Sequence, residues 1–144
     1  MSSVSSLEPY VMEVTVERSD IDRLGHVNNI VYLSWVQEVA VSHWYASATE
    51  DQKSKYLWVV AKHEIEYKRP SVEGDVLVVS TWVGKASHRL FTRNTRISRK
   101  ADGKEVVKAV TLWAPVDIET RKPVTPSQDV YEMFSSDFEM RRKG

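Results

Sequence analysis

Residues 28–46 constrain the fold of this chain more than any other segment, because they have the pattern of a long helix that is apolar on almost every side. The segment contains no glycine or proline. At about 100° per residue its polar side chains fall on one narrow stripe, and apolar residues cover most of the remaining circumference. Such a helix needs a sheet that wraps around it rather than a layer on one side. The stripe contains Ser34, Gln37, Glu38, Val41, Ser42 and Tyr45.

One strand-like run precedes this helix and four follow it. The first shows the alternation of a half-buried strand, and the run at 75–83 is almost continuously β-branched, which predicts a strand covered on both faces. Ala-Asp-Gly at 101–103 predicts a hairpin turn. The predicted strands cover residues 12–16, 57–69, 75–83, 89–99 and 104–115, with a loop at 48–55 and a short helix at 129–136.

The connections between the last four strands are short, which requires antiparallel neighbours. The sequence therefore predicts an α+β fold in which a five-stranded antiparallel sheet curls around one long central helix. No repeat or linker divides the chain, so residues 1–144 are expected to form a single domain, with residues 1–9 flexible.

The composition excludes several classes of function. Lys plus Arg and Asp plus Glu both total 20, so no net charge attracts the chain to nucleic acid. There is no cysteine, which removes disulfides, thiolate nucleophiles and cysteine-bound metals. No apolar run is long enough to span a bilayer, and the first residues do not have the pattern of a signal peptide. A cytoplasmic location is expected.

A polar loop at residues 20–29 leads directly into the helix and is the candidate active site. Backbone N–H groups of a first helical turn lack partners, and Asp22 lies just before that turn. Helix capping by Asp20, Asp22 or Asn28 is the simplest alternative, but capping needs only one of them. A calcium loop is excluded because its fifth and twelfth positions are Leu24 and Val31.

A zinc site is not expected. His26 and a nearby aspartate give only a start, and the other histidines have no ligand spacing. His43 lies opposite the polar stripe and is expected to be a hydrogen-bonded core residue. Arg93, Arg96, Arg99 and Lys100 form a local basic strand that is expected to be mostly a solvated face.

The loop then shows a specific resemblance. The string D-x-D-x-x-G-H-V-N-N-x-x-Y, here Asp20, Asp22, Gly25, His26, Val27, Asn28, Asn29 and Tyr32, resembles the signature of hotdog-fold acyl-CoA thioesterases, in the 4-hydroxybenzoyl-CoA thioesterase-like branch. The segments WVQEVA, IEYKRPSVEGDVLVV and VDIETRKPVTPSQDV extend it over roughly residues 11–131. Plant acyl-carrier-protein thioesterases share the motif, which keeps carrier-protein substrates open.

The resemblance implies a thioester hydrolase of the hotdog fold that needs no cofactor or metal. Asp22 would act as nucleophile or as general base for water, and the Asn29 N–H would polarise the carbonyl. His26 and Asn28 would assist or brace the loop, while Glu38 in the helix is a rival carboxylate of lower rank. Substrate contacts are expected from Gly25, Val27 and Tyr32, and contacts to coenzyme A phosphates from Lys85, His88 and Arg89.

The resemblance also implies a homodimer or homotetramer with sites at subunit interfaces, where the corner at residues 67–71 would complete the partner's site. The acyl pocket is expected to include Leu24, Tyr32, Trp35 and Trp58. A non-catalytic acyl-binding hotdog protein is the main alternative, while a hotdog dehydratase lacks its motif here.

Overall fold

The computed structural model describes residues 8–87 and 89–134, and it confirms the predicted order of one strand, one long helix and four strands. The strands are β1 (Tyr10–Thr15), β2 (Tyr56–Tyr67), β3 (Val76–Ser87), β4 (Leu90–Arg99) and β5 (Glu105–Asp117). The helices are α1 (Asn29–Ser47), α2 (Glu50–Lys55) and α3 (Gln128–Phe134), with a 3-10 turn at Arg18–Asp20.

The five strands form one antiparallel sheet in the order β1-β3-β4-β5-β2. The predicted hairpin between β4 and β5 is confirmed, and Gly103 takes the positive φ of 71° that the turn requires. Strands β1 and β2, which precede and follow α1 in the sequence, are the two edge strands, so the chain passes from one edge of the sheet to the other through α1.

Helix α1 packs against one face of the sheet, as predicted. Its buried side chains include Val36 and Val39, which are 1% and 0% exposed. The polar stripe faces outward, since Gln37 and Glu38 are exposed and Ser42 is half-buried. The buried side chains of α1 recur every three or four residues, so they share one face. Within one chain the sheet covers that face, and several apolar residues outside it remain exposed.

Two predictions about the elements are wrong. Residues 50–55 form α2 instead of a loop, because Thr49 and Gln52 make a capping box in which each side chain accepts the other's backbone N–H, at 3.0 and 2.9 Å. Strand β3 is buried on one face only, and its other face is half-buried. The last two residues of the helix predicted at 129–136 lie outside the described residues.

The core consists of two clusters at opposite ends of the sheet. One surrounds the start of α1 and the start of β3, and it includes Val27, Tyr32, Leu77 and Ile97. The other surrounds the end of α1, the end of β3 and α3, and it is mainly aromatic. We call these the loop end and the cavity end. The candidate site lies at the loop end.

Candidate active site

The loop before α1 is held at its base by backbone hydrogen bonds. The Val27 N–H donates to the Ser71 carbonyl at 2.9 Å, and the Asn28 N–H donates to the Asp20 carbonyl at 2.9 Å. Ile21 and Val27 form an isolated bridge, and the Val27 side chain is only 3% exposed. Residues between these points thus form a short exposed turn fixed to the sheet.

Asp22 is braced by this turn through one of its two carboxylate oxygens. Oδ1 accepts hydrogen bonds from the backbone N–H groups of Leu24 at 2.8 Å and His26 at 3.3 Å. Gly25 takes a φ of +83°, which side chains rarely adopt. Oδ2 has no hydrogen-bond partner among the described residues, and Asp22 is exposed. The carboxylate is therefore oriented and still accessible.

The start of α1 supplies one unused donor beside this turn. Asn28 is the N-cap, and its Oδ1 accepts the Ile30 N–H at 3.0 Å. The N–H groups of Val31 and Tyr32 both donate to the Asn28 carbonyl. Within the described part of the chain no acceptor is bonded to the Asn29 N–H. The capping interpretation is thus correct for Asn28, and Asp20 caps the preceding 3-10 turn, whereas Asp22 caps neither.

Two further motif residues, His26 and Tyr32, differ in their exposure. His26 is exposed on the loop, next to the Asp22 turn. Tyr32 is 2% exposed beneath it, where its ring contacts those of Trp35 and Tyr67 and where burial raises the pKa of its phenol. Tyr67 belongs to the corner at residues 67–71, which in this chain contacts its own loop through Ser71.

Lys85 and Arg89, two of the residues predicted to contact the coenzyme A phosphates, lie far from Asp22 within one chain. The loop lies at the start of β3, since Val16 bonds to Asp75 and Val27 to Ser71. Lys85 and Arg89 are exposed at the other end of that strand, roughly 30 Å along it. His88 lies outside the described residues. Glu38, the rival carboxylate, is exposed on the outer face of α1.

The four residues predicted to line one acyl pocket are also separated. Leu24 is 79% exposed in the loop, while Tyr32 and Trp35 are buried in the cluster at the loop end. Trp58 borders a cavity of about 260 Å³ at the other end of α1, and the other three residues do not line this cavity. In one chain the motif and the cavity are therefore two separate features.

One buried polar residue was missed by the sequence interpretation. Arg93 was grouped with the basic strand but is 6% exposed, whereas Arg96 and Lys100 are exposed as expected. The alternation along the strand would have indicated this burial, because Arg93 lies on the same face as Phe91, Thr95 and Ile97. His43 was predicted correctly as a core histidine, and its Nδ1 accepts a hydrogen bond from Arg93 at 3.0 Å.

No group of three or more potential metal ligands converges in the described residues. None of the helices in this part of the chain is long and apolar enough to cross a membrane.

Comparison with known proteins agrees with the fold and with the family that the sequence resembles. A sequence profile of the Thioesterase-like superfamily matches residues 16–134. A chloroplastic acyl-acyl-carrier-protein hydrolase of Cuphea viscosissima is 26% identical over 111 residues, which are 71% of this chain and 26% of the relative. The chain thus spans about a quarter of the length of the plant relatives it matches. The long-chain acyl-CoA thioesterase FadM of Escherichia coli is 22% identical over 83% of this chain and 92% of the relative.

Solved structures show the same fold. A 1,4-dihydroxy-2-naphthoyl-CoA thioesterase from Synechocystis superimposes with a TM-score of 0.74 at 19% identity, covering 88% of this chain and 96% of that one. An acyl-ACP thioesterase from Bacteroides thetaiotaomicron gives a TM-score of 0.74 at 25% identity, covering 88% and 52%. With the profile match over most of its length, this chain belongs to the Thioesterase-like superfamily.

Proposed function

We propose that the protein is an acyl-CoA thioesterase that hydrolyses a thioester to a free acid and coenzyme A. The observation that carries the proposal is the Asp22 carboxylate, which its own loop holds through Oδ1 while Oδ2 stays accessible on the loop that leads into α1. A protein that only binds acyl groups has no use for a fixed carboxylate at this point.

The helix start would supply the electrophilic half of the site. When the thioester carbonyl is attacked, negative charge develops on its oxygen, and a fixed N–H group lowers the energy of that state. The Asn29 N–H is the available donor, and the positive end of the α1 dipole acts in the same direction. Asn28 would act indirectly, since its cap holds this first turn in place.

Asp22 would supply the other half in one of two ways. As a nucleophile, Oδ2 forms a bond to the acyl carbon, the C–S bond breaks, and water then hydrolyses the resulting anhydride. As a general base, Asp22 removes a proton from a water molecule whose oxygen forms that bond instead. In both cases the thiolate leaves and is protonated. His26, exposed on the same turn, would orient the water or the departing sulfur.

A second subunit would complete the site. Strand β2 is an edge strand of 12 residues, with Leu57 and Val59 37% and 46% exposed on it. Long unpaired edges of this kind favour pairing. We therefore expect a homodimer or homotetramer. Because Lys85 and Arg89 lie far from Asp22 in one chain, their contact with coenzyme A phosphates would be made to a substrate held by the partner subunit's Asp22.

The test is release of free thiol from a panel of thioesters by the wild-type protein. The panel contains butyryl-, octanoyl-, palmitoyl- and benzoyl-CoA, together with octanoyl and palmitoyl esters of acyl carrier protein. Turnover of at least one CoA ester is the expected result. Turnover of carrier-protein esters alone would replace the substrate class. Binding of the panel without any turnover would contradict the proposal and favour a non-catalytic acyl-binding protein.

The carrier-protein alternative has a specific observation in its favour, namely the match to chloroplastic acyl-acyl-carrier-protein hydrolases. The relative that matches this chain over nearly its whole own length is, however, an acyl-CoA thioesterase. This difference in coverage is why coenzyme A esters are proposed first.

A further inference from the structure

The cavity at the far end of α1 is a feature that the proposed hydrolysis does not use. It has a volume of about 260 Å³ and is lined by residues of the second half of α1, of α2, of strands β2 to β5 and of α3. Its first helical lining residue, Ala40, is roughly 16 Å along α1 from Asn29. The walls are mainly aromatic, and they include Trp44, Trp58, Phe91, Trp113 and Phe134.

Arg93 brings a buried positive charge to this apolar space. One guanidinium nitrogen, Nη1, donates to His43 Nδ1 at 3.0 Å and to Thr81 Oγ1 at 3.1 Å. The guanidinium carbon lies 5.6 Å from the centre of the Phe134 ring. Nε and Nη2 have no hydrogen-bond acceptor among the described residues. Two partners that carry no negative charge therefore fix one side of the group, and the other side has no acceptor in the described part of the chain.

The charge of Arg93 is not balanced within the described part of the chain. None of the aspartates and glutamates in residues 8–87 and 89–134 forms an ion pair with Arg93. Burial lowers the pKa of Arg93 to about 10, so the group stays protonated at neutral pH. A buried charge without a counter-ion is costly, and removal of that cost is a gain available to an anionic ligand.

The shape and chemistry of the cavity restrict the ligand. Its volume lies just below the range for drug-sized molecules, which indicates a small ligand. The aromatic walls favour an apolar body, and a guanidinium with two free donors matches the two oxygens of a carboxylate. We propose that this cavity binds a small monocarboxylic acid with an aromatic or medium-length aliphatic body, and that Arg93 holds its carboxylate through Nε and Nη2.

This inference does not depend on the proposed activity, although the acid produced by a thioesterase belongs to the same chemical class. It places a binding site for free acid away from the Asp22 loop. A binding measurement tests it without turnover, so its failure and that of the proposed function are distinguishable.

The experiment compares ligands that share a body and differ in charge. Quenching of tryptophan fluorescence, or calorimetry, is recorded for octanoate against octanol and for benzoate against benzyl alcohol at neutral pH. We expect each acid to bind at least about tenfold more tightly than its alcohol, because only the acid makes a charged hydrogen bond with the guanidinium. Equal affinities, or no binding of either acid, would overturn the inference.

Three variants locate the site. Arg93→Met should remove the preference for the acid while the alcohol still binds, and Arg93→Lys should keep part of it. If Arg93→Met does not fold, Ala40→Leu serves instead, because it reduces the cavity without changing any charge and should weaken acid and alcohol alike. An acid that binds Arg93→Lys and Ala40→Leu as tightly as the wild type would contradict a site in this cavity.

Discussion

The loop end and the cavity end of the molecule are built from the same sheet and helix but differ in how their interiors are filled. At the loop end, Leu77, Val79 and Ile97 are all 0% exposed, and backbone hydrogen bonds tie the exposed turn to this closed core. At the cavity end, large rings contact each other at their edges, such as Trp44 and Trp58 at 5.4 Å, and leave open space beside Arg93. A tightly filled region can hold a reactive group in place, whereas an incompletely filled one can admit a ligand.

The largest expected effect tests this difference in packing with a matched pair on one strand. Val79 and Val83 both point inward from β3, the first into the loop-end cluster and the second into the cavity wall. Val79→Ala should lower the free energy of unfolding by about 2.5 kcal/mol, because it opens a new void as well as losing apolar burial. Val83→Ala should cost about 1 kcal/mol, since its methyl groups already border space.

Urea denaturation at neutral pH measures both changes. Equal losses in the free energy of unfolding for the two variants would show that the two ends are packed alike and would contradict the difference in packing.

A smaller effect on stability, with a separate effect on activity, is expected at the loop. Gly25→Ala forces a side chain into the conformation at φ +83° and should destabilise the protein by about 1 kcal/mol. Gly103→Ala, at φ +71° in the β4–β5 hairpin, is the matched control with a similar penalty. Only Gly25→Ala should lower thioester turnover, by at least about tenfold, because it displaces Asp22. A parallel loss of turnover in both variants would contradict a specific role for this turn.

The smallest effect is expected at α3, which borders the cavity. A hydrogen bond from the Ser127 hydroxyl is the main reason why the pKa of Asp129 is lowered. The Gln52 amide, whose Nε2 donates to Asp129 Oδ2 at 2.7 Å, lowers this pKa further. A lowered pKa in the folded state means that this stabilisation is complete above about pH 4 and is lost as the pH falls through the folded pKa. Asp129→Asn should therefore cost about 0.5 kcal/mol at pH 7, after allowance for solvent screening, and almost nothing near pH 2.

Urea titrations at the two pH values measure this difference, with Glu132→Gln on the same helix as the control. A cost that is independent of pH would assign the effect to packing rather than to the charge of Asp129.

The fold could be predicted from the sequence because its signals are local. Alternation predicted the strands, and the long apolar pattern of residues 28–46 predicted the helix that packs on the sheet, although only one face of it is buried in one chain. The loop composition indicated where the polar groups lie. Helix α2 was missed although its capping pair, Thr49 and Gln52, is also a local signal. The residues 1–9 and the single-domain extent remain predictions.

The arrangement of the site could be predicted only in part. The D-x-D-x-x-G-H-V-N-N string locates Asp22 and Asn28. It leaves open which of Asp20, Asp22 and Asn28 caps the helix, and it does not reveal that Asp22 uses one oxygen for its turn. The cavity depends on contacts between residues far apart in sequence, such as Arg93 with His43, 50 positions earlier. No local pattern shows that Trp58 borders it while Tyr32 and Trp35 do not.

The kcat of Asp22→Asn on the best thioester of the panel measures whether catalysis takes place at the Asp22 carboxylate. The asparagine Oδ1 can still accept the two N–H groups of the turn, so the melting temperature should match that of the control Asp20→Asn. We predict that kcat falls about 1,000-fold for Asp22→Asn and far less for the control. A wild-type kcat for Asp22→Asn, or an equal loss of kcat in both variants, would contradict catalysis at the Asp22 carboxylate.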